Sequence, residues 1–233
     1  MKTWALVPIK ESAHAKQRLS FFFTTQLRQA LFSAMVTDVL AALAASTSIC
    51  GFAVVTVDPA AQKLARRCGG LVIEAGARLG HSNAAMSGIC ELTSRQGADA
   101  VLTLPMDVPL ITTEDIDSII TAHEKGHRGM TLVPSHDCRG TNATLSSPPG
   151  CIELRFGEDS FVAHVKAARS AKIRPSVLSL PNVALDIDRP EDVERLLGIP
   201  RNTRTHEALA KAGYRPGAFW RSDLLETRAA QWN

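Results

Sequence analysis

Three groups of charged residues stand where an α/β chain would place its chemistry. The first is Asp107 in "LPMDVPL" (Leu104–Leu110), a carboxylate between Pro105 and Pro109 that follows the apolar run "AVLTL". The prolines fix their own φ, so the backbone around this carboxylate is set before any tertiary contact forms. A hard cation such as Mg2+ takes one or two protein carboxylates and leaves its other positions to phosphates and water, which suits one pinned aspartate. The alternative is a turn aspartate capping the next helix, yet Asp107 lies well before the cap position at Thr112 or Thr113. The second group is "LDIDRPED" (Leu185–Asp192), where Asp186 and Asp188 alternate with Leu185 and Ile187. Strand geometry would put both carboxylates on one face. Pro190 then opens a helix whose first turn suits Glu191 and Asp192. With Asp107, the pair predicts a metal held from opposite sides. The third group is Lys10, Lys16 and Arg18 in the basic loop "KESAHAKQRLS". These cations either hold a triphosphate and offset charge on a departing pyrophosphate, or belong to a solvated loop.

The elements that must position these groups are legible as alternating patterns. "WALVPI" (Trp4–Ile9), "GFAVVTV" (Gly51–Val57), "LVIE" (Leu71–Glu74) and "AVLTL" (Ala100–Leu104) read as strands buried on both faces. Helical spacing predicts helices over Thr24–Ala45, Ala60–Arg67, Asn83–Arg95 and Thr113–Glu124. This rhythm predicts a single-domain, doubly wound, mostly parallel α/β sheet. Ligands in such sheets sit outside the carboxyl ends of the strands, where all three groups fall. After Gly126, "GMTLVPS" and "TNATLSS" flank the turn-rich "HDCRG" and predict a small hairpin extension. A helix near Asp159–Ala171, strands in "SVLSL" and "VALDID", and a helix over Pro190–Leu197 complete a domain over residues 1–197. Residues 198–233 form a polar, basic extension, either a docking helix or disordered.

Bulk properties exclude several classes. A chain of 233 residues, 45% of them hydrophobic, can bury one sizeable core, and a net charge of +3 is too small for a nucleic-acid partner. "MKTWALVPIK" is too short an apolar run for a signal peptide, and no run of 18 apolar residues predicts a membrane span. Five cysteines without a C-x-x-C spacing read as free thiols in a reducing cytoplasm.

"WALVPIKESAHAKQRLS", "LPMDVPLIT", "RGTNATLSSPP", "RFGEDSFVAHVKAA" and "LDIDRPEDV" together resemble the ordered motifs of the guanylyltransferases of coenzyme F-420 biosynthesis. That family is similar in fold to the molybdenum-cofactor guanylyltransferases. The resemblance implies GTP and a small phosphorylated carboxylic acid as substrates, the acid's phosphate attacking the α-phosphorus while pyrophosphate leaves. It implies Mg2+ held by Asp107 and Asp188 with Asp186 beside them, and Lys16 and Arg18 as the catalytic cations on the triphosphate. Lys10 and Asn83 would contact the nucleotide, and Thr141, Asn142, Gly157 and Ser160 the acceptor. No general base is needed, because a phosphate oxygen is already anionic, so positioning and electrostatics dominate. His164, four residues after Ser160 on one helical face, either reaches the acceptor or is a satisfied core histidine.

The chain departs from the family where a Gly-Leu-Asn usually precedes the third helix. Here "GHSNAAM" (Gly80–Met86) keeps Asn83 but has His81 and Ser82 in place of the glycine and leucine. Met86 and Cys90 share a face of that helix, either as core packing or as a compact, polarisable lining of the acceptor pocket. Family acceptors include 2-phospholactate, phosphoenolpyruvate and 3-phosphoglycerate, and these departures favour 3-phosphoglycerate. A homodimer is the candidate assembly. A molybdopterin or sugar nucleotidyltransferase predicts a glycine-rich loop where "KESAHAKQR" stands. A non-catalytic nucleotide-binding subunit predicts a lost carboxylate or basic loop, and a D-x-D glycosyltransferase leaves the pinned Asp107 unexplained.

Overall fold

The computed structural model describes residues 1–11, 16–126, 129–215 and 217 of the chain. Its strands are β1 (Thr3–Pro8), β2 (Gly51–Val55), β3 (Leu71–Ile73), β4 (Ala100–Thr103), β5 (Gly129–Pro134), β6 (Thr141–Ser147) and β7 (Ser176–Val177). They form one sheet in the order β3-β2-β1-β4-β6-β5-β7. β1 pairs in parallel with β2 on one side and β4 on the other, so the winding direction reverses between β1 and β4. The crevice outside those two carboxyl ends receives the loop after β1 and the Asp107 turn after β4. β6 runs antiparallel between β4 and β5, so the expected hairpin lies within the main sheet.

Helices α1 (Thr25–Ala45), α2 (Pro59–Arg67), α3 (His81–Gln96), α4 (Thr113–Lys125), α5 (Ser160–Ser170), α6 (Pro181–Ala184), α7 (Pro190–Leu197) and α8 (Arg204–Lys211) cover the sheet. The period-two alternation of the central strand sorts its side chains between the layers. Ala5 and Val7 pack with Phe32, Val36 and Ile116 on the face under α1 and α4. Leu6 packs with Ala85, Ile89 and Leu92 of α3 on the other. The helix starts follow their capping residues. Thr24 accepts from Leu27 N–H, Asp58 from Ala61 N–H, and Thr112 forms a reciprocal capping box with Asp115. α3 packs tightly on the sheet at Gly88, where a Cβ would lie 2.6 Å from Leu6 Cδ1 and 2.7 Å from Val55 Cγ2.

Two expectations need correction. "VALDID" is not a strand: α6 takes up Pro181–Ala184, and residues 185–188 run extended outside the sheet. The alternation survives, with Leu185 and Ile187 buried, because Ile187 N–H donates to the Asp107 carbonyl at 2.9 Å instead of to a strand. α1 is long enough, and apolar enough on average, to cross a membrane, but it contains no unbroken run of 18 apolar residues. Leu31, Phe32, Met35, Val36, Val39, Leu40 and Leu43 are buried inside this fold, so here it acts as a core helix. Second, "SVLSL" contributes only the two residues of β7.

The chain beyond residue 197 continues onto the same core. α8 lies across α1, Leu209 is fully buried, and Leu209 and Tyr214 join a cluster with Phe23, Leu31 and Met35. Of the expected extension, residues 218–233 lie outside the described residues. Asp38 on α1 docks α8 by accepting from Arg204 N–H (2.8 Å), Thr205 N–H (2.9 Å) and Thr205 Oγ1–H (2.6 Å). Asp38→Ala removes this cap and is expected to cost about 1–2 kcal/mol, a few degrees of Tm. An unchanged melting curve would show that the docking contributes nothing to stability.

Candidate active site

The site is built where the β1 loop, the Asp107 turn and the extended segment after α6 meet. Pro105 and Pro109 hold the turn, the Asp107 carbonyl is tied to Ile187, and its carboxylate remains 17% exposed. Lys16 reaches in from the β1 loop. Its Nζ lies 2.5 Å from Asp107 Oδ2 and 2.8 Å from Asp188 Oδ1, and its side chain is only 3% exposed. Arg18, in the 3-10 turn Gln17–Leu19, stays at the rim with Nη1 3.4 Å from Asp188 Oδ2. Buried Leu19 anchors that turn. Lys10 is exposed at the start of the loop, and Ser12–Ala15 lie outside the described residues.

Electrostatics bind these groups together. Burial alone would lower the pKa of Lys16, but Asp107 and Asp188 outweigh it and hold the ammonium above its ordinary value. Burial likewise pushes the Asp188 carboxyl up, yet Lys16 and Arg18 hold it below the usual carboxylate range. Asp186 has no such cation. Burial first, and then the charge of Asp107, push it up to about 6. Asp192, expected at the start of α7, accepts from Asp188 N–H and Arg189 N–H and so fixes the turn that carries Asp188.

Among the described residues, no group of three or more His, Cys, Asp or Glu side chains is arranged as a ready metal cage. The donors present are nonetheless of the right kind. Asp107 and Asp188 offer hard oxygen donors that meet at one point from two elements, and Mg2+ needs only one or two such carboxylates when phosphates complete its shell. Asp186 is less available, because its Oδ1 accepts from Asn142 Nδ2 at 3.0 Å.

The expected acceptor residues divide. Asn142 is buried and its amide also donates to the carbonyls of Val183 and Ala184, each at 3.0 Å. Its N–H groups are committed inside the protein, so in this structure it holds the Asp186 segment rather than offering a donor to a ligand. Thr141, Ser160 and His164 form one hydrogen-bonded chain. Arg155 N–H can only donate, so His164 Nε2 accepts it at 2.9 Å, and Nδ1 carries the proton donated to Thr141 Oγ1 at 2.9 Å. Ser160 Oγ lies 3.5 Å from the same hydroxyl. With both ring nitrogens used and no exposed surface, His164 takes the satisfied-core reading. Gly157, at φ +134° with open space around it, lets the exposed loop before α5 turn. Arg139 is occupied by Glu158 and Asp159 of that loop.

Asn83 donates to Leu79 O at 2.8 Å and braces its own loop. Met86 packs, half buried, into the core under α3, while Cys90 is exposed, and neither has a described contact with Asp107, Asp186 or Asp188. The structure instead brings forward His81 and Ser82, which the sequence marked only as departures. The His81 ring packs edge-on against Phe156 with centroids 4.7 Å apart, and Ser82 Oγ accepts from Phe156 N–H at 2.9 Å. These two contacts tie the first turn of α3 to the Arg155–Asp159 loop. Burial pushes His81 down to about 4, Asp107 opposing and Lys10 reinforcing the shift. The only signal in the sequence was a polar pair at a helix start. A separate groove lies between α1 and α8, lined by residues such as Leu27, Ala34 and Lys211.

Burial also pushes His164 down to about 4. The unfolded chain therefore takes up a proton near pH 6.5 while the fold keeps this ring neutral, and stability falls as pH drops from about 6.5 toward 4. Asp186 acts with the opposite sign: its raised pKa makes stability fall as pH rises from about 4 toward 6. His164→Gln is thus expected to flatten the acid limb of Tm against pH relative to the wild type. Parallel limbs in the two proteins would exclude a neutral, buried His164.

Solved structures share this fold. A nucleotide-diphospho-sugar transferase assignment from Desulfovibrio desulfuricans superposes with a TM-score of 0.72 at 18% identity, covering 91% of this chain and 95% of that one. A 4-diphosphocytidyl-2C-methyl-D-erythritol synthase gives 0.59 at 16% identity, covering 84% and 97%. The architecture is that of the nucleotidyltransferases. The family model described as "Guanylyl transferase CofC like" matches residues 3–224, and the chain belongs to that family. A phosphoenolpyruvate guanylyltransferase of Conexibacter woesei is 33% identical over 84% of this chain and 87% of its own length. One from Rubrobacter xylanophilus is 36% identical over 84% and 94%. A 2-phospho-L-lactate guanylyltransferase of Methanothermobacter thermautotrophicus is 30% identical over 97% and 98%.

Proposed function

We propose that this protein transfers a guanylyl group from GTP to phosphoenolpyruvate or 2-phospho-L-lactate in the biosynthesis of coenzyme F-420. The carrying observation is the junction of Lys16 with Asp107 and Asp188 at the point where strand order reverses. A phosphate oxygen of the acid forms the new bond to the α-phosphorus. The bond from that phosphorus to the bridging oxygen breaks, and pyrophosphate leaves with the electron pair. Lys16 and Arg18 would meet the charge that grows on the leaving group, which is where fixed cations lower a barrier. Asp107 and Asp188 would hold Mg2+, which when bound draws charge off the phosphoryl oxygens. Lys10 extends the positive rim toward incoming nucleotide.

The choice of acceptor rests on the relatives, whose names specify phosphoenolpyruvate or 2-phospho-L-lactate. The expectation of 3-phosphoglycerate drew on the departures at His81, Ser82, Met86 and Cys90; Met86 packs half buried against the core and Cys90 is exposed, and the names of the relatives favour the other two acids. Pyrophosphate release from GTP and Mg2+ with each acid in turn tests the reading. Turnover is expected with phosphoenolpyruvate or 2-phospho-L-lactate, and its loss with EDTA tests the metal. Preference for 3-phosphoglycerate would reverse the acceptor assignment, and preference for CTP the nucleotide assignment.

A further inference from the structure

Lys16 is placed for two tasks that exclude each other. As a triphosphate ligand its ammonium must point toward the nucleotide. In the structure it is instead buried between Asp107 Oδ2 and Asp188 Oδ1, at 2.5 and 2.8 Å. That is also the point at which a hard divalent cation would be shared by the same two carboxylates. Two cations cannot occupy it together, since each needs the same inward lone pairs and repels the other. Lys16 also has φ +53°, a left-handed conformation that lysine seldom adopts, and its side chain is only 3% exposed. Arg18, two residues on, keeps a 69% exposed side chain at the rim.

We propose that Lys16 is an internal counter-cation that occupies the divalent-metal position in the nucleotide-free protein and leaves it only when nucleotide phosphates arrive to receive its ammonium. Metal and nucleotide then bind as one coupled event, and metal alone binds poorly. This rests on the nucleotidyl-transfer reading of the site and adds the order in which the site fills. Coupling of this kind is reciprocal: whatever factor the nucleotide adds to metal affinity, the metal adds to nucleotide affinity.

The test uses the full chain, Mn2+ as the probe metal and the non-transferable analogue α,β-methylene-GTP. Free Mn2+ is followed by electron paramagnetic resonance in wild type, Lys16→Met and Lys16→Gln. Without nucleotide, both variants are expected to bind Mn2+ about tenfold or more tighter than wild type, within the range usual for coupled sites. The analogue should then tighten Mn2+ binding strongly in wild type and by a smaller factor in the variants. Variants that bind Mn2+ alone no tighter than wild type overturn the proposal. Should the unpaired carboxylates destabilise the variants, melting curves decide instead. Mn2+ alone must raise the variants' Tm and leave the wild type's unchanged, and a variant Tm that ignores Mn2+ also overturns the idea. No acceptor acid and no turnover enter these readouts, so they stand apart from failure of the proposed reaction.

Discussion

Asp107→Asn is expected to lower kcat/KM for guanylyl transfer by about 10²–10³, comparable to removing one preorganised charge partner from a transition state. The side chain keeps its shape, so the prolines on either side and the Ile187 N–H bond to its carbonyl still hold the turn. What disappears is the charge. The Lys16 ammonium then has Asp188 alone as its partner at 2.8 Å, and a metal at this point loses one of its two anionic ligands. Asp188→Asn should act in the same direction and also release Arg18, whose Nη1 is 3.4 Å away. Pyrophosphate release measured across a Mg2+ series, with melting curves alongside, checks this. Turnover close to wild type in either variant would remove the aspartates from the reaction. Recovery at high Mg2+ would reduce their role to metal affinity.

The second large effect falls on stability. Asn142→Leu fills a similar volume but offers no donor to the Val183 and Ala184 carbonyls or to Asp186 Oδ1. The Ala184 carbonyl keeps the His136 N–H at 2.8 Å, so the Val183 carbonyl and Asp186 Oδ1 are the acceptors that lose their donor. Each costs roughly 1–3 kcal/mol, so a total near 2–4 kcal/mol is expected. For a chain of this size that is on the order of 10 °C in Tm. Activity should fall with it even at low temperature, because the same segment carries Asp188 into the site. Melting and initial-rate measurements on one preparation separate the two effects. An unchanged Tm would mean that the amide's three contacts add nothing to the fold, and normal rates would mean that Asp188 is positioned without it.

Residue type and spacing alone determined the parallel α/β layers and the end of the sheet where chemistry belongs. Buried strands and amphipathic helices follow local rules of period and capping, so "AVLTL", Thr112 and Pro190 took up the roles that their neighbours in sequence predict. Asp107 was legible for the same reason: prolines on both sides act over two residues. The tertiary structure decided what depends on partners far away in the chain. Leu185–Asp188 reads as a strand locally, but the Asp107 turn supplies its backbone bond, so it never joins the sheet. Asn142 looks like a ligand donor until Val183, Ala184 and Asp186, more than forty residues on, take its amide. His164 gains its tautomer from the Arg155 N–H, and Cys90 shares a helix face with Met86 yet ends in solvent. Lys16 shows the limit most sharply. Its type and loop position allow a phosphate ligand, but only folding brings Asp107, 91 residues away, and Asp188, 172 residues away, around one ammonium. Short-range sterics are written residue by residue, whereas a buried polar group's partner is chosen by which distant segment can satisfy it once water has gone.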